Sequence, residues 1–268
     1  MSLRTLRNNF RLFFEGALLS YVALFRWLRP MTYLASKVVS PLSYMLFFVF
    51  LGKYASNGSE ASFYIVGNAL QIAASSGIYG VTMSIGGDRR DGTLLYLFGS
   101  PANRLTVFFG RAFMHIIDGA FGVVLGFFWG VVLLGLDLSQ ANLGALALVI
   151  VITTFSTCGL GLLCGCLSLV TLNVMFVNNT VFFLLLLFSG ANVQTALLPA
   201  WAQAIGQALP LTRGITAARQ IVGGASLAEV SHLLAGELLF GFVYVALGYL
   251  MFRWFEAFAK RRGTLEAF

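Results

Sequence analysis

Residues 105–136 read LTVFFGRAFMHIIDGAFGVVLGFFWGVVLLGL, and this apolar stretch decides the class of fold. No charged residue follows Asp118 within it. Because a helix needs roughly 20 apolar residues to cross a lipid bilayer, the stretch predicts a membrane-spanning helix. Arg104, Arg111 and His115 lie near its start, so we expect this helix to begin in the cytoplasm or at the membrane interface.

The rest of the chain repeats this apolar pattern. Hydrophobic residues make up 59% of the 268 residues, and the mean hydropathy is +0.86. Soluble domains contain roughly 45–50% apolar residues. We therefore predict an all-α integral membrane protein in which six transmembrane helices form a single domain. The predicted spans are residues 31–51, 63–85, 105–136, 143–170, 174–191 and 233–255.

Residues 1–29 form an amphipathic segment ahead of the first predicted span. Arg4, Arg7 and Arg11 recur at spacings of three and four, which places them on one face of a helix. Such a helix lies in the membrane interface with its arginines toward the lipid headgroups. Pro30 then ends it. The sequence thus predicts an N-terminal interfacial helix.

The distribution of basic residues predicts the orientation in the membrane. Of the 17 Lys and Arg residues, six lie at or before Lys37, four within residues 88–111 and four from Arg253 onward. The other three are Lys53, Arg213 and Arg219. Because basic segments stay in the cytoplasm, we expect both termini to be cytoplasmic, in a bacterial inner membrane. The net charge of +7 agrees with this, and no interleaved aromatic and basic motif indicates nucleic-acid binding.

Residues 88–101, DRRDGTLLYLFGSP, lie between the second and third predicted spans. Gly92 and the Ser100-Pro101 pair can bound a short helix with a leucine-rich face. The adjacent charges, Asp88 to Asp91, can pair with charges on a partner. The residues alone leave two readings open: a docking segment, or a solvated loop whose charges only set the topology.

Residues 196–222 do not fit a simple span. They contain two short helical patterns, 200–208 and 212–222, separated by Pro210 and preceded by Pro199. Neither pattern is long enough to cross a bilayer. Irregular backbone at membrane depth must be covered by protein or line a cavity. We therefore predict an external re-entrant helical hairpin between the fifth and sixth spans.

Polar residues inside the predicted spans form two groups. The first is Asn68, Gln71 and Ser75, which share a helix face, and the second is Asn178 with Asn179. Polar groups in hydrocarbon usually face protein or water. We expect these five residues to line a pathway, while hydrogen bonds between helices are the alternative.

Two acidic residues, Asp118 and Glu237, lie inside predicted spans, and we predict a basic partner for each. We expect Asp118 to pair with Arg111 on the same helix, in preference to a proton relay through His115. Glu237 lies well inside the last predicted span, and we expect it to pair with Arg213 or Arg219 on the hairpin. Separately, the spacing of Gly122, Gly126 and Gly130 predicts close helix packing.

No motif for chemistry or nucleotide binding is present in the sequence. G-x-x-x-x-G-K-[ST] does not occur, and the single Gly-Lys pair, Gly52-Lys53, is followed by Tyr54. Neither H-E-x-x-H nor G-x-S-x-G occurs. The three cysteines share one apolar block without a His or carboxylate neighbour, so we expect them to pack in the core and not to bind a metal. We expect no catalytic residue, metal or cofactor in this chain.

These features together resemble the membrane subunit of an ABC exporter of the ABC-2 type. An interfacial helix precedes six predicted spans, and a charged cluster before Gly-Thr and Ser-Pro lies between the second and third. A Ser-Gly pair ends the fifth span, and Leu-Pro, a Trp and Pro-Leu-Thr follow it. The residues that carry these two motifs are Asp88 to Pro101, Phe188-Ser189-Gly190, Leu198-Pro199, Trp201 and Pro210-Leu211-Thr212.

The resemblance implies that a separate ATPase subunit, present in two copies, supplies ATP hydrolysis with its own ATP and Mg. It also implies a second permease copy or a paralogue, surrounded by membrane lipid. The implied ATPase-coupling residues are Asp88, Arg89, Arg90, Asp91, Gly92, Thr93, Leu94, Leu95, Leu97, Phe98 and Pro101. The implied external hairpin residues are Pro199, Trp201, Pro210 and Arg213.

The residues do not decide the substrate. We favour efflux of a hydrophobic or amphiphilic molecule, drug-like or lipid. Because the 26 Phe residues could equally stack on sugar rings, export of a polysaccharide or lipid-linked oligosaccharide is the alternative. A channel or secondary transporter is the alternative of another class, although the chain shows no convincing internal repeat. An intramembrane enzyme ranks last.

Overall fold

The computed structural model describes residues 11–19, 21–22, 30–56, 61–90, 92–93, 96, 99, 103–168 and 173–262. All regular structure in these ranges is helical. The helical runs are α1 (11–19), α2 (30–55), α3 (61–90), α4 (Arg104–Leu134), α5 (Leu143–Ser168), α6 (Val174–Phe188), α7 (Ala200–Ala208), α8 (Thr212–Val222) and α9 (Leu227–Arg262). A 3₁₀ turn, Thr195–Leu197, precedes α7.

Two of these runs contain a π-helical segment. In α2 it covers Ala35–Val39, and in α3 it covers Ser75–Val81. A π-helical turn holds more than the usual 3.6 residues, so it changes which side chains face a neighbouring helix. Such segments are frequent at functional sites.

Within the described ranges, four helices are long and apolar enough to cross a membrane: Ala35–Ala55, Thr106–Leu134, Leu143–Ser168 and Leu227–Phe258. The apolar helix Val174–Phe188 is shorter. The all-helical, membrane-spanning fold predicted from sequence is thus confirmed, and the count of six crossings stays a prediction.

Several helices end a few residues away from the ends of the predicted spans, whose bounds in the membrane stay predictions. The second predicted span should end at residue 85, but α3 continues to Arg90. The third and fifth should end at 136 and 191, but α4 stops at Leu134 and α6 at Phe188. Glycines explain the early stops, because Gly135 and Gly190 have positive φ values of 71° and 82° and end the helices.

The first and last predicted spans lie inside longer helices. Their helices, α2 and α9, extend beyond 31–51 and 233–255 at both ends. Polar and charged residues flank the apolar part of each helix. They limit the stretch that reads as apolar, but nothing in them breaks a helix.

Helix α5 lies at the centre of the bundle. In its most apolar window 67% of residues are buried, against 28% or less for the other three candidate spans. Glycines bring its neighbours close. A Cβ atom at Gly159 would lie 2.8 Å from the carbonyl oxygen of Gly241 in α9, and one at Gly161 would overlap the carbonyl of Gly77 in α3. The hydroxyl of Thr82 also donates to the Gly161 carbonyl at 3.1 Å.

Helices α3 and α4 pack through the predicted glycine face. A Cβ atom at Gly122, Gly126 or Gly130 would lie 2.7–3.1 Å from atoms of α3. Those atoms belong to Ile72, Ala69 and Ile65. The glycine spacing therefore predicted the contact correctly, and its physical cause is the close approach of two backbones that only small residues permit.

The segment between α6 and α9 contains the two short helices expected from sequence. Their bounds, Ala200–Ala208 and Thr212–Val222, are those predicted. Helix α8 lies inside the bundle, with Ile215 and Ile221 fully buried. The depth of this pair of helices in the membrane stays a prediction.

Candidate functional site

Asp118, in the first half of α4, collects polar side chains from three other parts of the chain. The hydroxyl of Tyr21 donates to its Oδ1 at 2.6 Å, and the hydroxyl of Ser76 donates to its Oδ2 at 2.5 Å. The ammonium group of Lys37 forms an ion pair with the same Oδ2. We call these four residues the Asp118 cluster. It joins α2, α3, α4 and the residues after α1.

The two π-helical segments supply two members of this cluster. Lys37 lies in the segment of α2 and Ser76 in the segment of α3. Gly119 lets α3 come this close, because a Cβ atom there would lie 3.2 Å from the Cβ of Ser76. The same atom would lie 2.7 Å from Thr154 in α5. The cluster thus lies where α2, α3 and α4 meet, and the π-helical segments of α2 and α3 each supply one of its side chains.

The expected pairing of Arg111 with Asp118 is wrong. Asp118 pairs with Lys37, and Arg111 donates from Nη1 to the carbonyl of Ser84 at 2.5 Å. Arg111 comes seven residues before Asp118, which puts it roughly 10 Å away along the helix axis. Lys37 approaches from a neighbouring helix at the level of the carboxylate. Sequence spacing gave no sign of this contact.

His115 lies beside the cluster and is 1% exposed. Its ring fills the space above Gly80, where any side chain would overlap it. The ring centroid of Tyr21 lies 5.6 Å from that of His115. Within the described residues, Nδ1 of His115 has no hydrogen-bond partner. The geometry fits a packed side chain next to the carboxylate.

Helix α1 packs on α4 just before this cluster. Ala17 is fully buried, and Gly110 of α4 faces the carbonyl of Phe13. The rings of Phe13 and Phe113 lie 5.5 Å apart. On the open face, Arg11 pairs with Glu15 at 2.7 Å. The described part of the predicted interfacial helix therefore rests on α4 and leaves its charges exposed.

Among the described residues Glu237 forms no direct ion pair with Arg213 or Arg219, although the charge of Arg213 acts on its carboxyl group. Oε1 of the fully buried Glu237 accepts a hydrogen bond of 2.8 Å from the backbone N–H of Leu211, just before α8. Arg213 instead donates to the carbonyl of Gln207 at 2.6 Å and lies 4.3 Å from the Phe240 ring centroid. The carboxylate occupies the positive end of the α8 dipole, which explains this arrangement.

Arg219 connects α8 to the ends of two other helices. Its Nη2 donates to the carbonyl of Phe63 at 2.9 Å and to that of Ala191 at 3.1 Å. Its guanidinium carbon lies 3.4 Å from the Phe63 ring centroid. Nearby, Asn68 donates to the side-chain oxygen of Asn192 at 2.8 Å. These contacts tie the start of α3 to the segment after α6.

The five residues predicted to line a pathway do not share one surface in the single chain. Asn68, Gln71 and Asn178 are 0–1% exposed. Ser75 and Asn179 are exposed. Asn68 donates to Asn192 in the segment after α6, and the lining role of all five residues stays a prediction.

An aromatic surface connects α2, α3 and α6. The ring of Tyr44 lies 4.7 Å from that of Phe48 and 6.1 Å from that of Phe182. The ring of Tyr79 lies 5.4 Å from Phe182, and its hydroxyl donates to Oδ1 of Asn179 at 2.7 Å. The tyrosines and Asn179 thus bring polar groups to an otherwise apolar surface.

Beside this surface lies a cleft of about 530 Å³. Its walls include Phe48 and Leu51 of α2 and Phe183 and Leu187 of α6, and Asn192 adds a polar group. We call this space the aromatic cleft. Small-molecule sites commonly measure roughly 300–1,000 Å³ and are mainly apolar, so the cleft has the size and character of one.

The predicted coupling segment is described only in part. Asp88, Arg89 and Arg90 form the end of α3, so they belong to the helix and not to a separate loop. Gly92 follows with a φ of 70°, as is common after a helix end. Tyr96 is 80% exposed. The residues outside the described ranges are Asp91, Leu94, Leu95, Leu97, Phe98 and Pro101.

The predicted hairpin residues surround α7. Pro199 precedes the helix with extended backbone, and Pro210 lies between α7 and α8. Trp201 is 64% exposed and contacts Phe188 edge to face, with ring centroids 6.0 Å apart. An exposed Trp beside an apolar helix end is typical of a membrane–water interface.

A family model described as ABC-2 type transporter matches residues 16–222. No curated protein and no solved structure matches the chain. The family match covers more than half of the chain, and it decides against the channel and secondary-transporter alternatives. Members of this family are the membrane subunits of transporters whose ATPase is a partner protein. The chain therefore belongs to the ABC-2 type transporter family and is a multi-pass permease subunit of an ABC transporter.

Proposed function

We propose that this permease exports a hydrophobic or amphiphilic molecule, drug-like or lipid, through a pathway bordered by α2, α3 and α6. The aromatic cleft is the observation that carries the proposal. Its walls match the apolar part of such a molecule, while Asn192 adds a polar group to the lining. Its volume of about 530 Å³ suits a small molecule or one acyl chain better than a long polysaccharide.

The pathway forms between two permease subunits, either two copies of this chain or this chain and a paralogue. Exposed polar side chains support this arrangement. Ser75 of α3 and Asn179 of α6 are exposed, whereas Asn68, Gln71 and Asn178 of the same helices are buried. Polar groups at membrane depth usually face protein or water, not lipid. A second subunit across this face would complete the aromatic cleft.

Two copies of an ATPase partner drive the cycle from the cytoplasmic side of a bacterial inner membrane. Residues 88–101 dock on the partner through their leucine-rich face and their charges. Asp88, Arg89 and Arg90 are continuous with α3, so a shift of the docked segment moves a pathway helix directly. ATP can drive this shift only because the partner binds it with different affinity in different states.

Paired aromatic substitutions test the proposed cleft. Phe183 borders the cleft and is 62% exposed; Phe121 of α4 is also 62% exposed and does not border it. We expect Phe183→Ala to raise the concentration of an amphiphilic dye that half-stimulates ATP hydrolysis by roughly 2- to 10-fold, from the loss of one aromatic contact. The measurement uses the permease purified with its ATPase in lipid nanodiscs.

The matched variant Phe121→Ala should leave this half-stimulating concentration unchanged. Equal effects of the two substitutions, or no effect of Phe183→Ala, would contradict a substrate site in the aromatic cleft. Stimulation by an oligosaccharide and not by any amphiphile would instead favour the sugar-exporting alternative.

A further inference from the structure

The two halves of α2 are held in different ways. In the C-terminal half, Met45, Val49 and Gly52 are buried, and Gly52 packs directly against the ring of Tyr64. In the N-terminal half no described side chain between residues 31 and 44 is buried. Core packing therefore fixes one half of this helix, and the other half lies along the outside of the bundle.

The described charged contact of that outer half is the ion pair between Lys37 and Asp118. The side chain of Lys37 is 28% exposed and that of Asp118 is 8% exposed. Removing charges from water is costly, and apolar replacements of buried ion pairs are often equally stable or more stable. The pair is therefore poorly explained as a source of stability. A contact that forms and breaks is a better reason for placing charges there.

Asp118 and Ser76 belong to a rigid unit. Helices α3 and α4 are in contact along Gly122, Gly126 and Gly130, where an added Cβ atom would lie 2.7–3.0 Å from the side chains of Ile72 and Ile65. Tyr21 follows α1, which also packs on α4, and binds the other carboxylate oxygen of Asp118. If the outer half of α2 moves away, Asp118 keeps the hydrogen bonds of Tyr21 and Ser76. The carboxylate thus stays partly satisfied in both positions.

We propose that the Lys37–Asp118 ion pair is a latch that closes the outer half of α2 against α4. On release, this half pivots about the packed residues Met45 to Gly52, and the π-helical segment at Ala35–Val39 gives the backbone a place to change register. The α2 residues that line the aromatic cleft, Phe48 and Leu51, belong to the half that stays packed, so the movement concerns the outer half alone. The role of this movement in the transport cycle rests on the proposed export function.

Spin labels can detect the release in the permease alone. The labels replace Met31 at the start of α2 and Val124 in α4, which are 80% and 53% exposed, in a background with the three buried cysteines changed to Ala. We expect Lys37→Met to increase the population of a second, longer distance roughly tenfold over the unsubstituted chain, because the ion pair with Asp118 is lost. Pulsed EPR in nanodiscs measures the distances.

Two control variants separate the latch from a general effect of charge. Lys37→Arg keeps the cation and should retain the short distance. Lys53→Met removes a lysine from the other end of the same helix and should also leave the distance unchanged. An identical distance distribution in Lys37→Met and the unsubstituted chain would overturn the latch. This experiment needs neither ATPase nor substrate, so its failure differs from a failure of the proposed export function.

A reversible crosslink tests the latch by holding the outer half of α2 closed against α4. In Lys37→Cys with Asp118→Cys, a short bis-methanethiosulfonate linker replaces the ion pair by a covalent bridge. In the complex with the ATPase, we expect linking to abolish substrate-stimulated ATP hydrolysis and a reductant to restore it. Stimulated hydrolysis that continues at the same rate while the two residues remain linked would overturn the proposal. This second test applies even if Lys37→Met fails to fold.

Discussion

Among the described residues other than glycine, Leu211 alone has a backbone in the left-handed region, with a φ of 85°. That conformation costs a residue with a side chain roughly 1–2 kcal/mol. The residue is fully buried, and its N–H donates to Glu237. The hydrogen bond and the buried leucine side chain together offset the backbone cost. Glu237 therefore holds the turn that starts α8.

A pair of substitutions at Glu237 tests this role. Glu237→Leu removes the acceptor and leaves a buried N–H unpaired, which should reduce stability by about 1–3 kcal/mol. Glu237→Gln retains a carbonyl oxygen in the same place and should lose less. Thermal unfolding of the purified permease in detergent compares the two. Equal stability of Glu237→Leu and the unsubstituted chain would contradict this account of the turn.

Single residues were also where sequence reasoning reached its limit. Asp118 and Glu237 stood out as charges in apolar segments, but neither makes its direct contact with the predicted arginine. The predictions preferred arginines close in sequence or in the assumed topology. The observed partner of Asp118 is Lys37, 81 residues away, and that of Glu237 is a backbone amide. Such contacts follow from helix packing, which residue spacing does not encode.

At the scale of elements, small residues decide how closely the helices approach. Gly161 of α5 lies directly against the backbone of Gly77 in α3, and the Thr82 hydroxyl donates to its carbonyl. Gly16 of α1 has no atom within 4 Å of a Cβ position. The same change, glycine to alanine, should therefore have opposite effects at these two positions.

We expect Gly161→Ala to force α3 and α5 apart and to destabilise the permease, because overpacking of a tight contact typically costs roughly 1–3 kcal/mol. Gly16→Ala should be neutral or slightly stabilising, since alanine favours a helix over glycine by roughly 0.5–1 kcal/mol. Size-exclusion chromatography after heating measures both. A tolerant Gly161→Ala, equal to Gly16→Ala, would show that the α3–α5 contact is less tight than the structure has it.

Elements with strong local signals were predicted well. The prolines around α7 set its bounds and those of α8, and the glycine repeat in α4 predicted its contact with α3. The end of α3 was missed because Gly86, Gly87 and the following charges suggest a stop. In the structure Gly86 packs closely against Ser168 and Val174, so the glycine serves a helix contact and the helix continues.

At the scale of the whole molecule, the chain is a permease subunit whose ATPase is a separate partner protein. It belongs to the ABC-2 family, and its sequence contains no P-loop motif. The aromatic cleft lies between α2, α3 and α6, and the Asp118 cluster joins the N-terminal residues to three helices. We propose that a second subunit completes the aromatic cleft and that the ATPase acts on the segment after α3.

The central claim is that an ATPase partner docks on residues 88–101. The most direct test is ATP hydrolysis by the tagged permease purified from its native membrane in mild detergent. We predict a stoichiometric ATPase partner that is lost when Leu95 and Phe98 are both replaced by Asp, because these changes remove the apolar docking face. Replacing the exposed Tyr96 by Asp is the control within the same segment and should retain the partner. A partner that remains bound and coupled to the Leu95→Asp, Phe98→Asp permease would contradict docking through residues 88–101.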